Sequence, residues 1–283
     1  MTANPIALAE LRHQRYVINN SRSGRIWILL AMLMLLPALL ASVVAFGAVM
    51  LGAELPPADS LDRIDSFATF IIGVGEVALI TMNIAQYIVV MMISYGLAAN
   101  SITREKRGNT WDNLLLTNVN ARTIVQGKFH ASLRALSGDY TMVAVLRVGL
   151  MASIVPISRS FIAATGGAEP LISRVDVLLL AVIVIAYTYL EAAMNTALSL
   201  FTVLLDVPGS VGASLFLLLR AIALGIGLGW LVTTLQIAFD VPGASFLLVG
   251  MIGLASYTLA SWVMLRLAEV AAVRGSQATP VAI

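Results

Sequence analysis

Long apolar runs alternate with short polar breaks along this chain. Six runs, near 26–51, 67–97, 136–157, 177–205, 211–235 and 245–265, stand out from the segments between them. Each is long enough to cross about 30 Å of hydrocarbon as an α-helix. Asp139 and Arg147 interrupt the third run. Four arginines, Arg12, Arg15, Arg22 and Arg25, precede the first. Its length far exceeds the apolar core of a secretory signal, so it is read as a retained span. The pattern predicts an all-α polytopic membrane protein with six transmembrane helices in one domain. Residues 1–25 form an interfacial N-terminal segment, 26–265 hold the spans, and 266–283 form a short cytoplasmic tail.

Composition strengthens this reading. Hydrophobic residues make up 59% of the chain and charged residues 11%, against about 25% charged in a soluble domain. A chain of this length has too small an interior to hide so much apolar surface from water. The sequence has no cysteine, which excludes disulfides, thiolate metal sites and cysteine nucleophiles.

The basic residues set the orientation. Arg12, Arg15, Arg22 and Arg25 precede the first run. Arg104, Lys106, Arg107, Arg122, Lys128 and Arg134 lie between the second and third, and Arg266 and Arg274 follow the sixth. All fall on one side of the membrane. The other side holds Arg63, Arg159 and Arg174. The positive-inside rule then places both termini in the cytoplasm. The outer loops, near 52–66, 158–176 and 236–244, are too short for a domain of ordinary size. The first is acidic, with Glu54, Asp59, Asp62 and Asp65.

The stretch "SITREKRGNTWDNLLLTNVNARTIVQGK", 101–128, is the largest polar break. Thr110 is placed to cap a helix starting at Trp111, accepting a bond from the Asn113 amide. Asp112 in the first turn suits the positive helix end. Leu114 and Leu115 need an apolar partner. Asn118 and Asn120 end that helix, and Asn120 can cap the next, from Ala121 through Ile124 toward Gly127. An amphipathic connector resting on headgroups and a docking element for a cytoplasmic protein both fit this pattern.

The spacing resembles the cytoplasmic signature of ABC-2 type transporter permeases, roughly E-R-x-x-G-T-x-E-x-L-L-x-T-P-L-S-x-x-E-I-x-x-G-K. Glu105 and Lys106 take the E-R place, Thr110 the T, Asp112 the acidic position, Leu114 and Leu115 the L-L, and Thr117 the next T. Val119, Ile124, Gly127 and Lys128 fall on L, I and G-K. Asn109, Asn118, Asn120 and Thr123 depart from the pattern. The start, "NPIALAELRHQR", resembles the interfacial helix before the first span in that family. The resemblance implies the membrane subunit of an ABC exporter in a prokaryotic plasma membrane. It implies a second permease copy or a homologous permease as partner, and a separate ABC ATPase that binds ATP and magnesium. Glu105, Thr110, Trp111, Asp112, Leu114, Leu115 and Thr117 would then frame a coupling helix seated on that ATPase.

Little else in the chain speaks of chemistry. Gly127-Lys128 has Arg122 where a P-loop has its first glycine, and Phe129 where Ser or Thr should follow. Such a segment cannot cradle phosphate, so the chain is not expected to hydrolyse ATP by itself. No catalytic residue, cofactor or metal site and no nucleic-acid partner is expected. His13 and His130 are far apart, and neither H-E-x-x-H nor G-x-S-x-G occurs. Glu76, Arg147, Glu191 and Arg220 lie within spans, with Asn83, Gln86 and Asn195 as polar companions. Intramembrane charges need partners or water. Glu76 and Arg147 each lie about 13 Å below the outer end of their spans, and are expected to pair. Gly225 and Gly229 form a G-x-x-x-G match that permits close helix approach. Two rival functions stay open. One is an ion- or proton-coupled carrier using the intramembrane glutamates, and the other a non-transporting membrane subunit of a larger complex.

Overall fold

The computed structural model of the chain describes residues 5–20, 22–52, 66–108, 110, 119–164, 173–205, 207–240 and 245–277, with the side chains of some, Glu76 among them, outside that description. Among these residues there are eight helices and no strand. They are α1 (Pro5–Asn20), α2 (Arg22–Leu51), α3 (Ser66–Arg107), α4 (Ala121–Ala135), α5 (Ser137–Ala164), α6 (Arg174–Leu204), α7 (Gly209–Asp240) and α8 (Ser245–Gln277).

Four of the helices are long and apolar enough to cross a membrane: α3, α6, α7 and α8. A fifth span results if α4 and α5, which meet at 54°, are taken together. In α2 the described apolar part, Leu35–Leu51, is shorter. Large apolar side chains are exposed on the outer flanks, among them Leu218 and Ile226 on α7 and Leu248 and Leu259 on α8. Water would not tolerate this surface and lipid requires it. The chain is a multi-pass membrane protein.

Two helices run well past their expected ends. α3 holds 42 residues, about 60 Å at 1.5 Å per residue, which is twice the hydrocarbon thickness. Arg104, Lys106 and Arg107 form its last turn, where cations face the negative end of the helix dipole. The basic break therefore begins as an extension of the span. α8 likewise continues to Gln277.

α6 is the centre of the bundle. It packs most extensively on α8, and also on α3, α5 and α7. Its N-terminus is fixed by a capping box in which the Ser173 hydroxyl accepts from the Asp176 amide and the Asp176 carboxylate accepts from the Ser173 amide. The buried stripe of α6 is small and hydroxylic. Thr188, Thr196 and Ser199 donate back to the carbonyls of Val184, Ala192 and Asn195, which satisfies hydroxyls away from water. On the far flank α2 lies against α5. Gly149 of α5 sits so close to Ser42 of α2 that a Cβ there would collide with the Ser42 backbone. α1 lies against α4 at one end of the bundle.

Candidate functional site

Two clusters of charged side chains organise the molecule, one at the α4 end and one inside the bundle.

The first is built around α4. Asn120 caps it, its side chain accepting from the Arg122 amide, as the sequence suggests. One face of α4, with Ile124, Val125, Gly127 and Lys128, is buried. It packs on Ala98 and Ile102 of α3, Leu200 and Leu204 of α6, and Ala268 and Ala272 of α8. Lys128 has no exposed surface. Its ammonium donates to Glu105 Oε1 at 2.6 Å, Ser101 Oγ at 2.9 Å and the Ser101 carbonyl at 3.2 Å. It also lies 3.5 Å from Glu10 of α1, which Arg104 approaches to 3.0 Å. On the other side, Glu269 of α8 receives Arg122 at 3.0 Å, Arg266 at 2.7 Å and the Gln126 amide at 2.8 Å. The Lys128 ammonium carries three N–H donors, and these three acceptors satisfy them.

Glu105 takes part in this arrangement. It points back to Lys128 and joins the end of α3 to α4, so it frames the intervening loop from inside. Thr110 is exposed, and its hydroxyl donates to the Glu105 carbonyl at 3.2 Å. Trp111, Asp112, Leu114, Leu115 and Thr117 lie outside the described residues. Sequence reasoning missed Glu10 and Glu269 altogether. Their signal was weak: each is a single acid in a basic segment at an end of the chain.

The second cluster lies between α3, α5, α6, α7 and α8. Glu191 of α6 is 2% exposed. One oxygen contacts Arg147 of α5 at 2.5 Å and the other contacts Arg220 of α7. Arg220 is 1% exposed and also donates to the hydroxyls of Tyr87 and Tyr257. Arg147 donates to Thr188 Oγ1 at 3.2 Å, and its guanidinium lies 5.5 Å from the Tyr87 ring and 5.7 Å from the Tyr187 ring. One step along α6, Asn195 donates to the Tyr140 hydroxyl, which is bonded in turn to Ser94 of α3. Thr188, Glu191 and Asn195 recur at helical spacing, so one face of α6 carries the whole series.

No protein-family model matches the chain, and a search of curated proteins finds no relative.

The expected pairing of Glu76 with Arg147 involves a side chain outside the described residues. Arg147 reaches across to α6 and pairs with Glu191, because a guanidinium at the end of a long side chain reaches a neighbouring helix at another level. Gly225 and Gly229 open away from the bundle, with nothing within 4 Å of where a Cβ would stand. Gly227 between them is the packed glycine, lying under the Tyr187 hydroxyl. Among the described residues no group of acids and histidines could hold a metal ion.

The tyrosines were the larger omission from the sequence reading. Tyr87, Tyr187 and Tyr257 look like ordinary apolar filler in a span. Only the placing of three hydroxyl-bearing rings around two arginines makes them part of a site.

Proposed function

We propose that this chain is the permease subunit of an ATP-driven exporter, with six spans and both termini cytoplasmic, acting as a dimer with a separate ATPase. The observation that best supports this reading is the clamping of α4. Glu105 and Lys128 tie the two sides of the polar break together, while Glu10 and Glu269 tie α4 to α1 and α8. A force applied to residues 109–118 would therefore be delivered to α3, α4, α1 and α8 as one unit. That is the behaviour required of a loop that converts closure of an ATPase pair into tilting of the spans. The resemblance of 105–128 to the ABC-2 signature supports the same reading, and the lipid-facing glycines Gly225 and Gly229 suit a seam with a second copy.

The test is a pull-down with a candidate ABC ATPase. Trp111→Ala and Leu115→Asp should each weaken capture about tenfold or more while the detergent melting curve stays within a few degrees. Undiminished capture of both variants would remove the coupling assignment. Orientation has its own test. An alkaline phosphatase fusion after Ile283, active only outside the cytoplasm, should stay silent. A strong signal would overturn the placement of the termini.

The carrier reading is less well supported. Both oxygens of Glu191 are engaged by guanidiniums, so a transported cation would have to displace an arginine to reach them.

A further inference from the structure

We propose that Arg122 and Arg266 form a binding site for the headgroup of an anionic phospholipid, in the leaflet at the α4 end of the bundle. α8 carries no charged residue from Ser245 to Leu265, and Arg266 is its first. Leu247 to Arg266 spans about 28 Å at 1.5 Å per residue, close to one hydrocarbon thickness. Apolar side chains before Arg266 are exposed, among them Leu248, Leu259 and Trp262. Arg266 therefore stands where lipid chains give way to headgroups. Trp262, one turn earlier, lies at the depth that aromatic rings favour in membranes. Its ring is 5.3 Å from the Arg266 guanidinium, a contact that keeps this arginine beside the lipid-facing surface.

Arg122 of α4 joins it. Arg122 and Arg266 reach the same oxygen of Glu269, at 3.0 and 2.7 Å, so the two guanidiniums lie side by side. Glu269 is buried, and its other oxygen accepts from Gln126. The carboxylate is thus an anchor beneath two arginines that both stay exposed. Arg122 bonds it through Nε and Arg266 through Nη1. The other N–H groups of both guanidiniums have no bonded partner among the described residues. A phosphodiester offers charged oxygens that two adjacent guanidiniums can hold at once, and basic clusters at this level attract anionic lipids. α4 contains no acidic residue, so the helix beside the site sets nothing against a phosphate. Val263 and Leu267 flank Arg266 on α8 and are exposed and apolar. They give glycerol and the first acyl carbons a surface that a soluble anion could not use.

The site does not depend on the exporter reading, so the experiment uses the full chain alone, purified in dodecyl maltoside. Native mass spectrometry follows lipid retention as dioleoyl phosphatidylglycerol or dioleoyl phosphatidylcholine is titrated. The unmodified chain should retain phosphatidylglycerol in preference, and inorganic phosphate at equal concentration should not displace it. Glu269→Gln keeps both arginines and should retain phosphatidylglycerol as the unmodified chain does. Adding Arg122→Gln and Arg266→Gln to that variant leaves no buried carboxylate without a cation, and should weaken retention at least about tenfold. Arg274→Gln, two turns farther along α8, should change little. Equal retention of the two lipids, or displacement by inorganic phosphate, would overturn the site. Both are read on the unmodified chain, so they decide the matter even if the triple variant fails to fold. Equal weakening by Arg274→Gln and the triple variant would also overturn it, because any surface charge would then suffice. Undiminished lipid retention in the triple variant, with capture of a candidate ABC ATPase lost, would give this face to a protein partner and remove the lipid site.

Discussion

The Glu191 cluster and the Lys128 cluster are made of the same residue types and do different work. At Lys128, four bases, Lys128, Arg104, Arg122 and Arg266, meet three acids, Glu10, Glu105 and Glu269. Several members reach the surface, with Arg104 45%, Arg122 58% and Arg266 41% exposed. Water and salt screen these outer charges, so each exposed pair is worth little alone and the fully buried Lys128 carries most of the cluster's value. At Glu191, two arginines share one carboxylate among the described residues, and Glu191 and Arg220 are buried. There the surroundings magnify both attraction and mismatch. The difference that remains is solvent: the Lys128 cluster is half wet, and the Glu191 cluster is dry.

Three substitutions separate the two regions, from the largest effect to the smallest. Glu191→Gln strands two guanidiniums at once and should lower stability in detergent by about 3–5 kcal/mol. Adding Arg147→Gln should restore part of the loss, since only Arg220 would then remain uncompensated. Chemical denaturation of the single and double variants measures both, and strictly additive losses would show that the three residues do not act as one cluster. Lys128→Met comes next. It leaves Glu105 and Glu10 without their common cation and should cost about 2 kcal/mol. Glu105→Gln in the same chain should recover some of this, and hydrogen exchange over α4 should rise in the single variant. An unchanged exchange pattern would mean that the clamp does not hold α4. Smallest is Arg122→Ala, which removes an exposed partner of Glu269 and should cost under about 1 kcal/mol. Raising the salt concentration should shrink that difference further but leave the Glu191→Gln loss nearly unchanged. If both losses respond equally to salt, the contrast between a wet and a dry cluster is wrong.

The helices were largely legible because their cause is local. An apolar run of span length and the Asn120 cap each act within a few residues of themselves. The ends were less legible. α3 continues through Arg107 because helix geometry tolerates charge where water can reach it, and composition marks the membrane boundary without marking the helix end. The glycine match was read correctly as a motif, yet the packed residue is Gly227, since which glycine faces a neighbour depends on how α7 is rotated about its axis.

By itself the sequence determined that this is an all-helical membrane protein with charges inside its spans and a basic, polar break after the second apolar run. Hydrophobicity and helix periodicity are properties of the chain alone, so no neighbour was needed to read them. The tertiary structure decided who pairs with whom. Glu191 meets Arg147, Lys128 turns inward to Glu105 and Glu10, and three tyrosines gather around two arginines. Those partnerships join helices far apart in the chain. They are set by helix rotation, crossing and side-chain reach, and by the need of each buried charge to find whatever partner the packing brings within a few ångströms.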